Sequence, residues 1–358
     1  LGLFHPTLTR ANKSGLQNTS HVPESGIAKL NGNENPYGPS PNALKAMAVA
    51  SNRGGYYVNN SAQTLRKMIA ERHRLTADHV LLSSGSTVVL ACLAMMAARE
   101  GNILVPDLFW DTTAKLAIRN SKYRLERIAM AGKLEIDLKR MMEAINKDIS
   151  LVQLTNPNNP TGLPINSEEL KQFCTIASEH CPVLIDEAYN ELAENPEQSS
   201  MIPLVREGRN VAVTRTFSKI HGLAGMRIGY MIAQPGFLKK ISEFGVAGDW
   251  STNQAGIAAA IASYDDEDFL RHSKEKIVEG KEMVAEAAKK NGLAILPSQT
   301  NFIFINLGSR NADEYKTVMR DQNILISGKY RNYSNWSRVS MGKIEDLKRY
   351  IGAMPLAL

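Results

Sequence analysis

Between residues 64 and 233 the chain alternates helix-length segments with short apolar runs, and this alternation restricts the fold more than any other feature. Helical periodicity covers residues 64–74, 86–99, 137–146 and 167–179. Apolar runs at 79–83, 102–106, 123–130, 149–155, 182–186, 211–216 and 227–233 read as strands. Strands that alternate with helices predict an α/β layer structure around a mostly parallel central sheet. After about residue 250 the rhythm changes. Helices at 254–263 and 266–291 precede a strand, turn and strand within 294–306, then a helix near 311–321, strands near 323–327 and 336–341, and a last helix near 343–352. That order predicts a smaller α+β domain. Residues 1–30 are polar and irregular, an expected arm, and the turn-rich stretch 31–41 leads into a helix near Asn42. The expected division is 1–45 as arm and part of the small domain, 46–250 as the large domain, and 251–358 as the rest of the small one; 358 residues suit two domains.

Charge narrows the partners. Lys and Arg number 42 against 36 Asp and Glu, a formal charge of +6, which asks for an anionic ligand. The basic residues are interspersed with acids, and the densest stretch, 119–127, holds four bases and one acid. A nucleic-acid footprint clusters on one face, so no nucleic-acid partner is expected. The longest unbroken apolar run, 88–98, is far below the roughly 20 residues of a spanning helix, so no membrane partner is expected either. Cys92, Cys174 and Cys181 lack ligand spacing, so no metal site is expected. The location expected by default is cytoplasmic, with export after removal of an N-terminal signal left open, because residue 1 is Leu1.

Four polar segments interrupt the apolar pattern where strands end. Ser83-Ser84-Gly85-Ser86-Thr87 joins a strand to a helix, where free N–H groups and the helix dipole suit a phosphate; a capped helix without a ligand uses the same residues. Asn156-Pro157-Asn158-Asn159-Pro160-Thr161-Gly162 has the composition of a tight turn, yet follows a strand on the side where open α/β sheets bind ligands. Asp186, in Asp186-Glu187-Ala188-Tyr189, ends a strongly apolar strand and needs a cation, a hydrogen-bond donor or a metal if buried, or else caps a helix. Finally, Lys219 sits among Thr216, Ser218 and small residues with Arg227 eight positions on. A partly desolvated amine is a nucleophile toward a carbonyl, and a guanidinium clamps a phosphate. Most lysines, however, are simply solvated.

Taken in this order, the segments Asn33-Glu34-Asn35-Pro36-Tyr37-Gly38, Asn158-Asn159-Pro160-Thr161-Gly162, Asp186-Glu187-Ala188-Tyr189 and Ser218-Lys219 with Arg227 make the chain resemble the fold-type-I, class I/II aminotransferases that use pyridoxal 5'-phosphate, nearest the histidinol-phosphate aminotransferase branch. The resemblance spans about residues 29–342. It implies the fold-type-I architecture and a ping-pong exchange of an amino group between an amino acid, or an amine like histidinol phosphate, and a 2-oxo acid. It also implies a covalent aldimine on Lys219, which then shuttles a proton, with Asp186 on the pyridinium nitrogen and Asn159 and Tyr189 on the ring oxygen. Ser86, Thr87, Thr216, Ser218 and Arg227 would hold the phosphate, joined by Tyr57 from the neighbouring subunit of a homodimer. Arg338 would grip the substrate carboxylate, with Asn301 and Asn35 beside it.

Two places depart from the pattern. The aromatic expected over the cofactor ring falls on Leu108, with Phe109 and Trp110 next; Trp110, with the broadest face, is the choice made here. Ser327 stands where histidinol-phosphate enzymes carry an Arg for the substrate phosphate, and the tyrosine of their N-terminal arm is replaced around His21 and Pro23. Either Lys329 or Arg331 substitutes, or the substrate is an ordinary amino acid held by Arg338. The same fold also supports lyases, decarboxylases and racemases, and a non-catalytic regulator that binds the cofactor.

Overall fold

The structure, a computed structural model, describes residues 26–358; the arm up to residue 25, with the His21 and Pro23 region, lies outside the described residues. Among the described residues twelve strands follow in chain order: β1 (Ala28–Lys29), β2 (Val80–Ser83), β3 (Asn102–Pro106), β4 (Leu125–Ile128), β5 (Ile149–Thr155), β6 (Val183–Asp186), β7 (Val211–Thr216), β8 (Gly229–Ile232), β9 (Ala294–Ile295), β10 (Phe302–Asn306), β11 (Ile324–Leu325) and β12 (Trp336–Ser340). Seven of them form one sheet in the order β2-β8-β7-β6-β5-β3-β4. Its strands run parallel except β8, which is antiparallel to both β2 and β7. β6 and β7 are buried along their whole length. That burial explains their unbroken apolar runs, because helices cover both faces of such a sheet. Successive residues feed opposite layers: Ile185 and Val213 join one apolar cluster, Leu184 and Ala212 the other.

Local chemistry sets the helix ends that matter. Gly85, at φ +75°, turns the chain from β2 into the helix Ser86–Glu100, whose buried Val89, Leu90, Leu93, Ala94 and Ala97 lie against the sheet. Ser40 caps the helix Pro41–Ser51 through the Ala43 N–H, with Pro41 at its first position. In the helix Glu267–Lys290, acids in the first turn and lysines in the last complement the dipole. Its Phe269, Ser273, Ile277, Gly280, Val284 and Ala287 recur at helical spacing and are buried.

The smaller unit is built on β9, β10 and β12, an antiparallel sheet, and on a pair of short strands, β1 and β11. Ala28 and Lys29 lie beside Ile324 and Leu325 in parallel register, so the start of the described chain completes the unit formed by its end. Its core includes Leu30, Ile277, Phe302, Ile303, Tyr315, Leu347 and Tyr350. Ile257, Ala259, Ala260 and Tyr264, from the helix Gln254–Tyr264, belong instead to a cluster of the large sheet. The change of apolar partner therefore falls between this helix and Glu267–Lys290, later than residue 250. A small cluster of Leu108, Leu296 and Phe304 joins the two units.

Because β2, β3, β5, β6 and β7 share one direction, Ser83, Pro106, Thr155, Asp186 and Thr216 all end at one edge of the sheet. Antiparallel β8 starts at that edge, where Gly229 lies opposite both Ser83 and Thr216. The polar segments of the sequence thus converge there.

Candidate active site

At this edge a cavity of about 410 Å³ is bounded by residues of both units. Ser86 and Thr87 reach it from the first turn of the helix Ser86–Glu100, Thr216 and Ser218 from the end of β7, and Arg227 from the turn before β8. Two close approaches shape this corner. A Cβ on Gly85 would overlap the Arg227 guanidinium, and a Cβ on Gly229 would overlap the Ser86 backbone nitrogen. Arg227 itself has a left-handed backbone, φ 57°, and its Nη1 donates to the Ala224 carbonyl at 2.9 Å. Thr216 Oγ1 accepts from the Ser218 N–H at 3.1 Å and donates to Ser218 Oγ at 2.9 Å. Hydroxyls, one guanidinium and a helix start make a corner complementary to a phosphate.

Asp186 lies deeper, 5% exposed. Burial pushes its carboxyl up from 3.8 to about 6, against the opposing pull of the Thr214 hydroxyl and the Lys219 charge. Thr214 Oγ1 donates to Asp186 Oδ1 at 2.9 Å from the adjacent strand. Glu187, one residue on, faces away: it is fully buried and accepts from Arg215 at 2.8 Å, from Ser200 Oγ at 2.9 Å and from the Met201 N–H at 2.7 Å. Neighbouring carboxylates are thereby assigned to opposite faces, one to the cavity and one to an internal ion pair.

Lys219 Nζ stands in the same cavity, 3.3 Å from the Asn33 carbonyl and 5.4 Å from the Tyr189 ring centre. Its loop is clamped from the N-terminal segment, where Gly222 and Gly38 approach so closely that a Cβ on either would collide with the other's backbone. A polar chain crosses from here to the small unit. Asn33 Nδ2 donates to Tyr189 Oη at 2.9 Å, and Asn159 Nδ2 to the same oxygen at 3.4 Å. Arg338 Nη1 donates to Asn159 Oδ1 at 2.7 Å. Arg338 Nη2 donates to the Asn31 carbonyl at 3.0 Å and to Ser327 Oγ at 3.2 Å. Arg338 is 8% exposed and lines the cavity, while its Nε and Thr155 Oγ1 are buried without a partner.

Of the residues singled out in the sequence, Ser86, Thr87, Trp110, Asn159, Asp186, Tyr189, Thr216, Ser218, Lys219, Arg227 and Arg338 line this one cavity. Leu108 and Phe109 point into apolar clusters, leaving Trp110 as the residue of that triplet on the cavity wall. Others lie elsewhere. Asn35 donates to the Ile220 carbonyl and to Ser273, and Asn301 donates to the Glu34 carbonyl; both brace backbone outside the cavity wall. Lys329 is exposed, 3.4 Å from Asp313, because Asp313 tucks beneath Gly328 and turns the loop toward the helix Ala312–Asp321. Arg331 pairs with Asp107 at 3.0 Å. Tyr57 is 88% exposed, its carbonyl accepting from Gln254 at 3.1 Å, so within one chain it does not reach the cavity.

Sequence reasoning gave no role to Thr155 or Thr214, named Asn33 and Glu34 only as motif members, and noted Ser327 only for the Arg it replaces, not for its bond to Arg338. Asn33 shares a motif with Asn35, and only its left-handed backbone, φ 50°, decides which of the two side chains faces Tyr189. Thr214 lies two residues before Thr216, so it shares a face of β7 with it, a signal that was present.

A family profile described as aminotransferase class I and II matches residues 25–354. The chain is 30% identical over 321 residues to a histidinol-phosphate aminotransferase of Halalkalibacterium halodurans, covering 89% of this chain and 86% of that one. It is 32% identical over 334 residues to the enzyme of the same name from Rubrobacter xylanophilus, covering 92% of each. Among solved structures it is similar to histidinol-phosphate aminotransferase from Sinorhizobium meliloti in complex with pyridoxal-5'-phosphate, at 27% identity and a TM-score of 0.82, covering 92% of this chain and 90% of that one.

Proposed function

The chain belongs to the class I and II aminotransferases, and we propose that the cavity at the sheet edge is where it exchanges an amino group between an amino acid and a 2-oxo acid. It is a pyridoxal-phosphate-dependent aminotransferase. The observation that carries the assignment of the site is one cavity lined by an amine, Lys219, a buried carboxylate, Asp186, and two guanidiniums, Arg227 from the turn before β8 and Arg338 from β12.

The donor set fits this cofactor. Asp186, raised to about 6 by burial, is matched by a cationic ring nitrogen. The glycine at 85 leaves room beside Arg227 that a side chain would fill, and the buried, partnerless Thr155 Oγ1 and Arg338 Nε point to polar groups of a ligand. When bound, the cofactor supplies an electrophilic carbonyl and a ring that accepts electrons from the substrate.

Each residue then has a task. Ser86, Thr87, Thr216, Ser218 and Arg227 hold the phosphate. Asp186, kept in place by Thr214, holds the ring nitrogen proton. Asn159 and Tyr189 would donate to the ring oxygen, and Trp110, on the cavity wall, would pack against the ring. Lys219 Nζ is the point of covalent attachment and, when freed, moves the Cα proton of the donor. Arg338 orients that donor by its carboxylate, which aims the Cα–H bond at Lys219. Tyr57, too exposed to serve its own chain, reaches the phosphate of the partner in a homodimer. Asn35 and Asn301 support this arrangement through the backbone they brace.

The reading is tested by adding an amino acid alone to the loaded enzyme. The account expects one equivalent of 2-oxo acid and loss of the visible absorbance of the lysine-bound cofactor, restored by a second 2-oxo acid. Continuous release of ammonia without an acceptor would instead identify a lyase.

A further inference from the structure

The substrate end of the cavity holds little positive charge. Its lining carries three cations, Lys219, Arg227 and Arg338, and two acids, Asp186 and Glu34. On the reading above, on which this inference rests, Arg227 serves the cofactor phosphate and Lys219 the covalent chemistry. Among the described residues, Arg338 is then the one cation that the lining offers to a substrate anion. The cations nearest in sequence are held away: Lys329 by Asp313, and Arg331 by Asp107, which also accepts from Tyr333 at 3.2 Å.

Ser327 fixes how that single guanidinium is presented. Its hydroxyl accepts from Arg338 Nη2 at 3.2 Å, and its N–H donates to the Arg338 carbonyl at 3.1 Å. Its own carbonyl accepts from Ser337 Oγ at 2.7 Å. With Asn159 and the Asn31 carbonyl, three of the five guanidinium N–H groups are engaged within the chain. What remains for a substrate is the single positive charge of this guanidinium, with its Nε–H and one Nη1–H free. Across the lining stands Glu34, whose carboxylate folds over Gly32 and is met by Lys29 at 2.5 Å. Lys29 already offsets the Glu34 charge, so a phosphate monoester, with a charge near −2 at neutral pH, would leave about one negative charge unmatched by Arg338 among the described residues.

We propose that Ser327 is a specificity-determining residue that sets Arg338 as a grip for one carboxylate, so that this chain takes α-amino acids and rejects amines in which a phosphate ester replaces the α-carboxylate. L-Histidine and L-histidinol phosphate separate the two classes cleanly, since they share the imidazole and the reacting amine and differ in the anionic group. Phenylalanine and glutamine extend the carboxylate arm to other side chains. Apparent dissociation constants and limiting rates are read from the absorbance of loaded enzyme mixed with each donor, without acceptor.

The best carboxylate donor should exceed histidinol phosphate at least tenfold in limiting rate over dissociation constant. Ser327→Arg should reduce that preference at least tenfold by placing a second guanidinium at the same end. Ser327→Ala should weaken the binding of carboxylate donors severalfold, by more than it lowers the limiting rate, with the melting temperature unchanged, a split that a merely structural serine would not produce. Preference of the unaltered enzyme for histidinol phosphate overturns the proposal. So does an unchanged preference in a Ser327→Arg protein that still binds the cofactor, or an unchanged dissociation constant in Ser327→Ala if the arginine variant does not fold. Loaded enzyme that converts no donor of either class would overturn the aminotransferase site itself, and the proposal with it.

Discussion

Asp186 shows how one residue carries both a cost and a task. Its carboxyl is raised to about 6 by burial, so between pH 4 and 6 the folded chain keeps a proton that the unfolded chain releases. Its contribution to stability therefore falls as pH rises through that window and is lowest above it, by roughly 3 kcal/mol. In cofactor-stripped protein, Asp186→Asn should raise the melting temperature at pH 8 by a few degrees, and the gain should shrink at pH 4.5. Melting of the variant below the unaltered protein at pH 8 would contradict this account. Thr214, which donates to Asp186 at 2.9 Å, opposes the rise. Thr214→Val removes a hydrogen bond to a charged group, worth about 1.5–3 kcal/mol. Cofactor affinity, followed by quenching of protein fluorescence, should drop about tenfold or more. At this scale the sequence was partly legible: Lys219, Asp186 and Arg227 stand in motifs that suggest their tasks, but neither the motif around Asn33 nor the departure at Ser327 shows which groups these two side chains meet. Their roles come from a left-handed backbone and from a neighbour on another strand.

At the scale of elements, periodicity located most strands to within a residue or two, because a sheet covered on both faces demands apolar runs at each crossing. β3, β5 and β7 fall where the pattern put them. Pairing was not legible. Nothing local reveals that β8 inserts antiparallel between β2 and β7, or that Ala28 lies beside Ile324. That insertion brings Gly229 against the first turn of the helix Ser86–Glu100. Gly229→Ala would wedge β8 from this helix, and overpacking of that kind costs about 1–3 kcal/mol. Thermal melting should show the loss together with weakened cofactor binding. Gly236→Ala, where a Cβ meets open space on the helix Pro235–Phe244, serves as the neutral control. Equal melting temperatures for the two variants would show that the close approach has no energetic weight.

For the whole molecule, the +6 charge that raised the question of an anionic partner resolves into few functional cations, of which Lys219, Arg227 and Arg338 share one cavity. No helix among the described residues is long and apolar enough to cross a membrane. Tyr56, Tyr57 and Val49 are exposed along a groove of about 870 Å³ completed by Ala258 and Ile261. The homodimer proposed above would cover this face and share Tyr57 between sites. Chains bearing Lys219→Ala and Tyr57→Ala, each impaired alone, should regain activity when co-expressed, since half of the mixed dimer's sites are then intact. Absence of complementation in demonstrated mixed dimers would refute the shared site. The central claim, that Lys219 is the residue to which the cofactor is joined, has a more direct test. Protein loaded with pyridoxal phosphate is reduced with borohydride, digested, and its labelled peptide sequenced. The account predicts a single label on Lys219 that disappears in Lys219→Ala; label on any other lysine, or protein that never takes up the cofactor, would contradict it.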